Sequence, residues 1–154
     1  YSKMKRIFLV VIIIFLHGCG FKSIYSSKDS NYKIISIEKN ISNNLTKYIQ
    51  DSLNAYSNDN AEKNLKINLK FSEDIIVILK DSKGDPKKNR LTITLVVEIF
   101  NQNDNLIETK KFSENFEYNI DDNKFNLKQY EKNIKLNLVN EIIQQIQVFL
   151  AEVK

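Results

Sequence analysis

Leu65, Ile67, Leu69 and Phe71 alternate with Lys66, Asn68 and Lys70. A two-residue period puts the apolar side chains on one face of an extended strand and the polar ones on the other. The strand is expected to continue through Ile75-Ile76-Val77-Ile78-Leu79, with a bulge near Ser72 to Asp74. Gly84-Asp85-Pro86 follows, and holds the chain's single proline, which fits a turn and not a strand. Leu91 to Phe100 is strongly β-branched, with Thr92, Ile93, Thr94, Val96, Val97 and Ile99. Asn101 to Asn105 reads as another turn, leading to a strand from Leu106 to Tyr118. These three segments predict an antiparallel meander.

Two helices and one more strand complete the pattern. Tyr32 to Glu38 carries Tyr32, Ile34, Ile35 and Ile37 and predicts a first strand. Ser42 is the expected cap of a helix reaching about Tyr56, with Leu45, Tyr48, Ile49, Leu53 and Tyr56 along one face. After Asp121-Asp122-Asn123 the chain predicts a long helix from about Leu127 to Glu152, where Asn126 and Gln129 resemble a capping box. Leu127, Tyr130, Ile134, Leu138, Ile142, Ile146, Phe149 and Val153 form its apolar stripe. The order β-α-β-β-β-α predicts an α+β fold: a two-layer sandwich with a four-stranded mixed sheet and two helices on one face. The first strand–helix–strand unit is expected to be a right-handed parallel crossover. The other face of the sheet is then met by polar alternation or by a partner. Residues 32–154 form the single expected domain.

The start of the chain carries a different signal. Ile7 to Leu16 is apolar and is preceded by Lys3, Lys5 and Arg6. A basic stretch, a short apolar run and a small residue predict a secretory signal peptide over residues 1–18. The run is about half the ~20 residues needed to cross a bilayer. The first residue is Tyr1, and Met4 is the expected start. Leu16-His17-Gly18-Cys19 resembles a bacterial lipobox, in which Cys19 receives a covalent lipid and becomes the mature N-terminus. Residues 19–31, rich in serine and lysine, read as the tether between lipid and domain. Gly20, rather than aspartate, after the cysteine favours the outer membrane.

Composition narrows the chemistry. Cys19 is the only cysteine, which excludes internal disulfides. His17 is the only histidine and is lost with the signal peptide. A mature chain without histidine has no Ser-His-Asp or Cys-His machinery and no His-containing metal site. No enzyme and no cofactor beyond the lipid on Cys19 are therefore expected. Three of the 23 cations lie in the signal segment, leaving 20 against 19 acids, so the mature charge is close to +1. The sequence pI of 9.0 partly reflects the signal peptide, and no nucleic-acid partner is expected.

One stretch stands out for binding. Lys80, Lys83, Lys87, Lys88 and Arg90 surround the Gly84-Asp85-Pro86 turn, with only Asp81 and Asp85 opposing them. A basic loop tip binds phosphates through charge-assisted hydrogen bonds, although the same spacing also suits an ordinary solvated hairpin. Lys110-Lys111 reads as an exposed strand position. Asp121-Asp122 reads as a helix-start signal rather than a cation site. Glu114 and Glu117, three apart on a strand, point to opposite faces and make a poor acid/base pair.

Gly18-Cys19-Gly20-Phe21-Lys22-Ser23-Ile24-Tyr25 resembles the mature start of the LPS-assembly lipoprotein of Gram-negative bacteria, especially its alphaproteobacterial branch. Ser23 stands where that family often has proline. Arg90-Leu91, Phe116-Glu117-Tyr118-Asn119, and Gln145 and Leu150 in the last helix extend the likeness along nearly the whole chain. The resemblance implies a non-enzymatic, periplasm-facing subunit of the outer-membrane LPS translocon. Such a subunit plugs a large β-barrel partner, supports its assembly and contacts LPS. On this reading the basic loop residues are the LPS-binding candidates. The alternative is another outer-membrane lipoprotein with a binding module, such as an activator of a cell-wall synthase.

Overall fold

The computed structural model describes residues 30–153. The expected signal peptide, Cys19 and nearly all of the tether lie outside these residues. Strands β1 (Tyr32–Lys39), β2 (Lys63–Lys80), β3 (Pro86–Phe100) and β4 (Leu106–Asn119) form one sheet in sequence order. β1 runs parallel to β2, and β2, β3 and β4 are antiparallel neighbours. Helix α1 (Asn44–Ala55) joins β1 to β2, and helix α2 (Lys124–Glu152) closes the chain. The architecture is the expected α+β order β-α-β-β-β-α.

Strand alternation decides which face is covered. Leu91, Ile93, Leu95, Val97 and Ile99 of β3 are all 0% exposed. Leu69 pairs with Val97 and Phe71 with Leu95, so the odd-numbered apolar residues of β2 and β3 share that face. Both helices pack there. Lys135 of α2 pairs with Glu73, Gln145 donates to Glu114, and Tyr118 donates to Glu131. All three strand partners lie on the buried face. Burial, aided by the Glu131 carboxylate, pushes the Tyr118 hydroxyl up to about 12, so it stays a donor at neutral pH. Tyr48 of α1 donates to Asn140 of α2 at 2.8 Å and ties the helices together.

Among the described residues, no helix covers the opposite face. Glu98 receives hydrogen bonds from Asn68 (2.9 Å) and from Lys70, and Thr94 and Ser113 share one at 2.9 Å. The Lys70 ammonium holds the Glu98 carboxyl below its ordinary value. This face is polar by strand alternation, as expected.

Several local details differ from the sequence reading. The predicted bulge at Ser72 to Asp74 is absent, because Ser72, Glu73 and Asp74 pair in register with Thr94, Ile93 and Thr92. The register breaks instead between Val77 and Leu79, beside the turn that reverses the chain. An irregularity between Ile34 and Ser36 leaves Ile35 exposed. Asn43, not Ser42, caps α1: its side chain accepts from the Thr46 N–H at 2.8 Å, while Thr46 Oγ1 accepts from the Asn43 N–H. α2 begins three residues earlier than expected. Asn123 Oδ1 accepts from the N–H groups of Phe125 and Asn126, which places Asn126 inside the helix rather than at its cap. Tyr48 and Tyr130 sit at the margins of their stripes and are exposed, whereas Ile134, Leu138, Ile142, Ile146, Phe149 and Val153 are buried.

Ile142 and Ile146 are 0% exposed, so truncating either to alanine should cost about 2–5 kcal/mol. Lys132→Ala and Gln144→Ala, on the exposed face of α2, should stay within about 0.5 kcal/mol. Urea unfolding of the four variants measures the contrast; equal losses on both faces would be incompatible with this packing.

Candidate functional site

The β2–β3 hairpin tip gathers the basic residues, and its shape follows from Asp81. Asp81 Oδ1 accepts from the N–H groups of Lys83 and Asp85, each at 2.9 Å. The Asp81 N–H donates to Asp85 O, and the Gly84 N–H donates to Asp81 O. Gly84 has φ of 89°, a left-handed conformation that only glycine adopts without strain. These bonds, the one from Asp85 foremost, hold the Asp81 carboxyl below its ordinary value. The tip is therefore a built turn with an ionised carboxylate at its base.

That geometry splits the five cations into two groups. Lys88 donates to Glu117 Oε2 at 2.7 Å, and Arg90 donates to Glu117 Oε1 through Nη2 at 2.6 Å and Nε at 3.2 Å. Register explains the cluster: Arg90 lies opposite Glu117 on β4, and both belong to the polar face. Lys87 lies 3.6 Å from Asp81. Lys80 and Lys83 make no ion pair among the described residues. Of the five candidate cations, Lys80 and Lys83 are thus free of ion pairs among the described residues, and Lys87, Lys88 and Arg90 are held by carboxylates. Spacing along the chain cannot show this, since Glu117 meets Arg90 only through the β3–β4 register.

The other residues considered fall where the strand pattern put them. Glu114 faces α2 and Glu117 faces the polar side, so the two carboxylates do not converge. Lys110 Nζ lies 4.8 Å above the Phe149 ring, a cation–π contact on the helix side. Asp121 Oδ1 accepts from the Asn123 N–H and helps turn the chain into α2. Among the described residues, no group of three or more His, Cys, Asp or Glu side chains is placed to hold a metal ion. No described helix is long and apolar enough to cross a membrane.

No protein-family model matches the chain, and no curated protein does. Solved structures do. Lipoprotein B from Nitrosomonas europaea superposes with a TM-score of 0.62 at 10% identity, over 84% of this chain and 88% of its own. The minor lipoprotein from Acinetobacter baumannii gives 0.60 at 17% identity, over 78% and 91%. Rare lipoprotein B from Shewanella oneidensis gives 0.55 at 12% identity, over 76% and 95%. The fold is that of the bacterial lipoprotein B structures. At these identities the likeness concerns backbone topology, and the lipoprotein B fold of this chain is built from its own core and capping residues.

Glu117 is the titrating element of the site. Hydrogen bonds from Lys88 and then Arg90 hold its carboxyl below the ordinary value. A depressed folded-state value means that the pairing is present above the ordinary glutamate range and is lost as pH falls through the lowered one. An NMR titration of the Glu117 carboxyl should give a midpoint below that of an unperturbed glutamate. Replacing Lys88 and Arg90 by glutamine should return the midpoint to the ordinary range. An unchanged midpoint would show that the two cations do not set it.

Proposed function

We propose that this chain is an outer-membrane lipoprotein, anchored through lipid on Cys19 and facing the periplasm. On this reading it serves as plug and assembly partner of the β-barrel of the LPS translocon and assists LPS insertion into the outer leaflet. The observation that carries the reading is the lipoprotein B fold standing directly behind a lipobox-like Leu16-His17-Gly18-Cys19. The uncovered polar face of the sheet supports it, because the lumen of a transmembrane barrel is itself polar. The sequence likeness of residues 18–25 to the mature start of the LPS-assembly lipoprotein supports it as well. The domain works by binding and not by catalysis, with no cofactor other than its lipid and no nucleic-acid partner.

The hairpin supplies the contact with LPS. Lys80 and Lys83 are the free donors for lipid A phosphates, and Lys87 flanks them. Lys88 and Arg90 join only if Glu117 releases them. The planar fork of Arg90 suits a bidentate phosphate contact as well as it suits the carboxylate it now holds. Glu117 thereby competes with the ligand for the strongest cation of the site.

Pulling a tagged, lipidated chain from its native membranes tests the main proposal. A large outer-membrane barrel should come down in stoichiometric amount; a cell-wall synthase in its place would overturn the translocon reading. Cys19→Ser should abolish lipid attachment and leave the protein out of the outer-membrane fraction, as read by mass spectrometry and fractionation. For the hairpin, Lys80→Glu with Lys83→Glu should weaken binding of phosphorylated lipid A without changing the circular dichroism spectrum. Glu117→Gln should strengthen it. Added salt should weaken binding by the parent chain through screening. Indifference of binding to all three changes would leave the hairpin as a solvated turn.

A further inference from the structure

β2 is 18 residues long and β1 only 8, so at about 3.3 Å per residue they span roughly 60 Å and 26 Å. The ladder between them ends at Leu69. Asn40 closes it: its N–H donates to Leu69 O at 3.1 Å, while its side-chain amide accepts from the Phe71 N–H at 2.9 Å and donates to Phe71 O at 3.1 Å. Both main-chain groups of Phe71 therefore point away from β3. Successive residues of an antiparallel strand alternate the side to which their N–H and C=O point. Beyond Phe71 the groups of Glu73, Ile75 and Val77 face outward, and those of Ser72, Asp74 and Ile76 face β3. Among the described residues, the three outward donor–acceptor pairs have no partner.

The side chains on this edge are also unusual for one left open. Ile75 is 40% exposed, Ile76 and Val77 are 44%, and Leu79 is 56%. No charge or proline interrupts Ile75 to Leu79, so two of the devices that normally blunt an exposed edge are missing there, and the register break after Val77 marks where the regular edge ends. Beside it lies a groove of about 620 Å³ between the start of α1 and the first half of α2. Leu45 and Leu136 give it apolar walls, and Lys128, Lys132 and Lys135 line it together with Glu131, whose carboxylate accepts from the Tyr118 hydroxyl. Lys135 is held by Glu73 of the same edge, which places the groove alongside it. Lys128 and Lys132 make no ion pair among the described residues.

We infer that the outer edge of β2 from Glu73 to Val77 is a strand-addition site for an extended segment of another protein, apolar and acidic in alternation. Its backbone bonds to Glu73, Ile75 and Val77; its carboxylates point to the helix side, toward Lys128 and Lys132, and its apolar side chains point to the opposite face, over Ile76, which pairs with Arg90 there. Main-chain donors and acceptors repeating every second residue are matched by another main chain, whereas an acyl chain offers them nothing. The paired lysines select acid over base by charge complementarity. The site goes beyond the translocon reading and does not depend on it.

The test uses the full chain in detergent and two synthetic peptides, one alternating valine with glutamate and one alternating valine with lysine. On binding the glutamate peptide, amide hydrogen exchange at Glu73, Ile75 and Val77 should slow by about tenfold or more, while Ser72, Asp74 and Ile76, already bonded to β3, stay unchanged. The lysine peptide should bind about tenfold more weakly at low salt. Ile75→Pro removes an outward donor while leaving the β3 ladder intact, and should abolish binding. Should that variant fail to fold, Lys128→Glu with Lys132→Glu, two surface changes, should reverse the preference between the peptides. Bound peptide without protection of the three amides would overturn the inference, as would equal binding of both peptides. Protection already present without peptide, together with a doubled mass, would assign the edge to a second copy and overturn it equally.

Discussion

The structure depends on burying one face of β3. Five alternate side chains from Leu91 to Ile99 are wholly shielded, with β2 on one side and β4 on the other. A one-residue slip of either neighbour would carry its apolar set to the polar face and leave this face without its cross-strand partners. α2, 29 residues long and roughly 44 Å, is long enough to run along the strands and close the layer. Its Glu131, Gln145 and Lys135, in contact with Tyr118, Glu114 and Glu73, fix its position over three strand residues rather than one. The polar features at the margins are consequences of this packing: once the odd positions of β3 are committed inward, Arg90 and Glu98 must face outward.

The covering layer is uneven. α1 is 12 residues, about 18 Å, and shields the part of the sheet that β1 completes. Toward the hairpin, β2, β3 and β4 continue under α2 alone. The domain has a closed half with a complete two-layer core and an open half that ends in the hairpin. The exposed side chains of Ile75, Ile76, Val77 and Leu79, the free strand edge and the unpaired tip lysines fall in the open half. The division falls at Asn40, where the β1 ladder ends.

The charge arrangement at the tip has its own logic. Asp81 and Glu117 each sit where one carboxylate restrains neighbouring cations, and both are kept ionised by the groups they bind. Surface pairs of this kind contribute little to stability. Their effect is to set which cations are free to meet a ligand. A cluster that appears uniform in sequence thereby acquires an inner, occupied tier and an outer, available one.

How much of this was legible from the chain differs by element. Strand periodicity at Leu65 to Phe71, the β-branched run of β3 and the apolar stripe of α2 specified element order, fold class and most of the core, because side-chain period and burial are local consequences of backbone geometry. That His17 is the only histidine, and that it sits in a lipobox-like run, were likewise visible without coordinates. Caps shifted by one to three residues, since Asn43 and Asn123 compete with Ser42 and Asn126 through hydrogen bonds that depend on how the chain enters each helix. The partner of Arg90, the point at which Asn40 ends the β1 ladder, and the free edge that follows were decided by tertiary structure alone. They are properties of register between segments separated by about thirty residues, and no local pattern encodes which of several equivalent carboxylates, or which length of edge, a distant strand will meet.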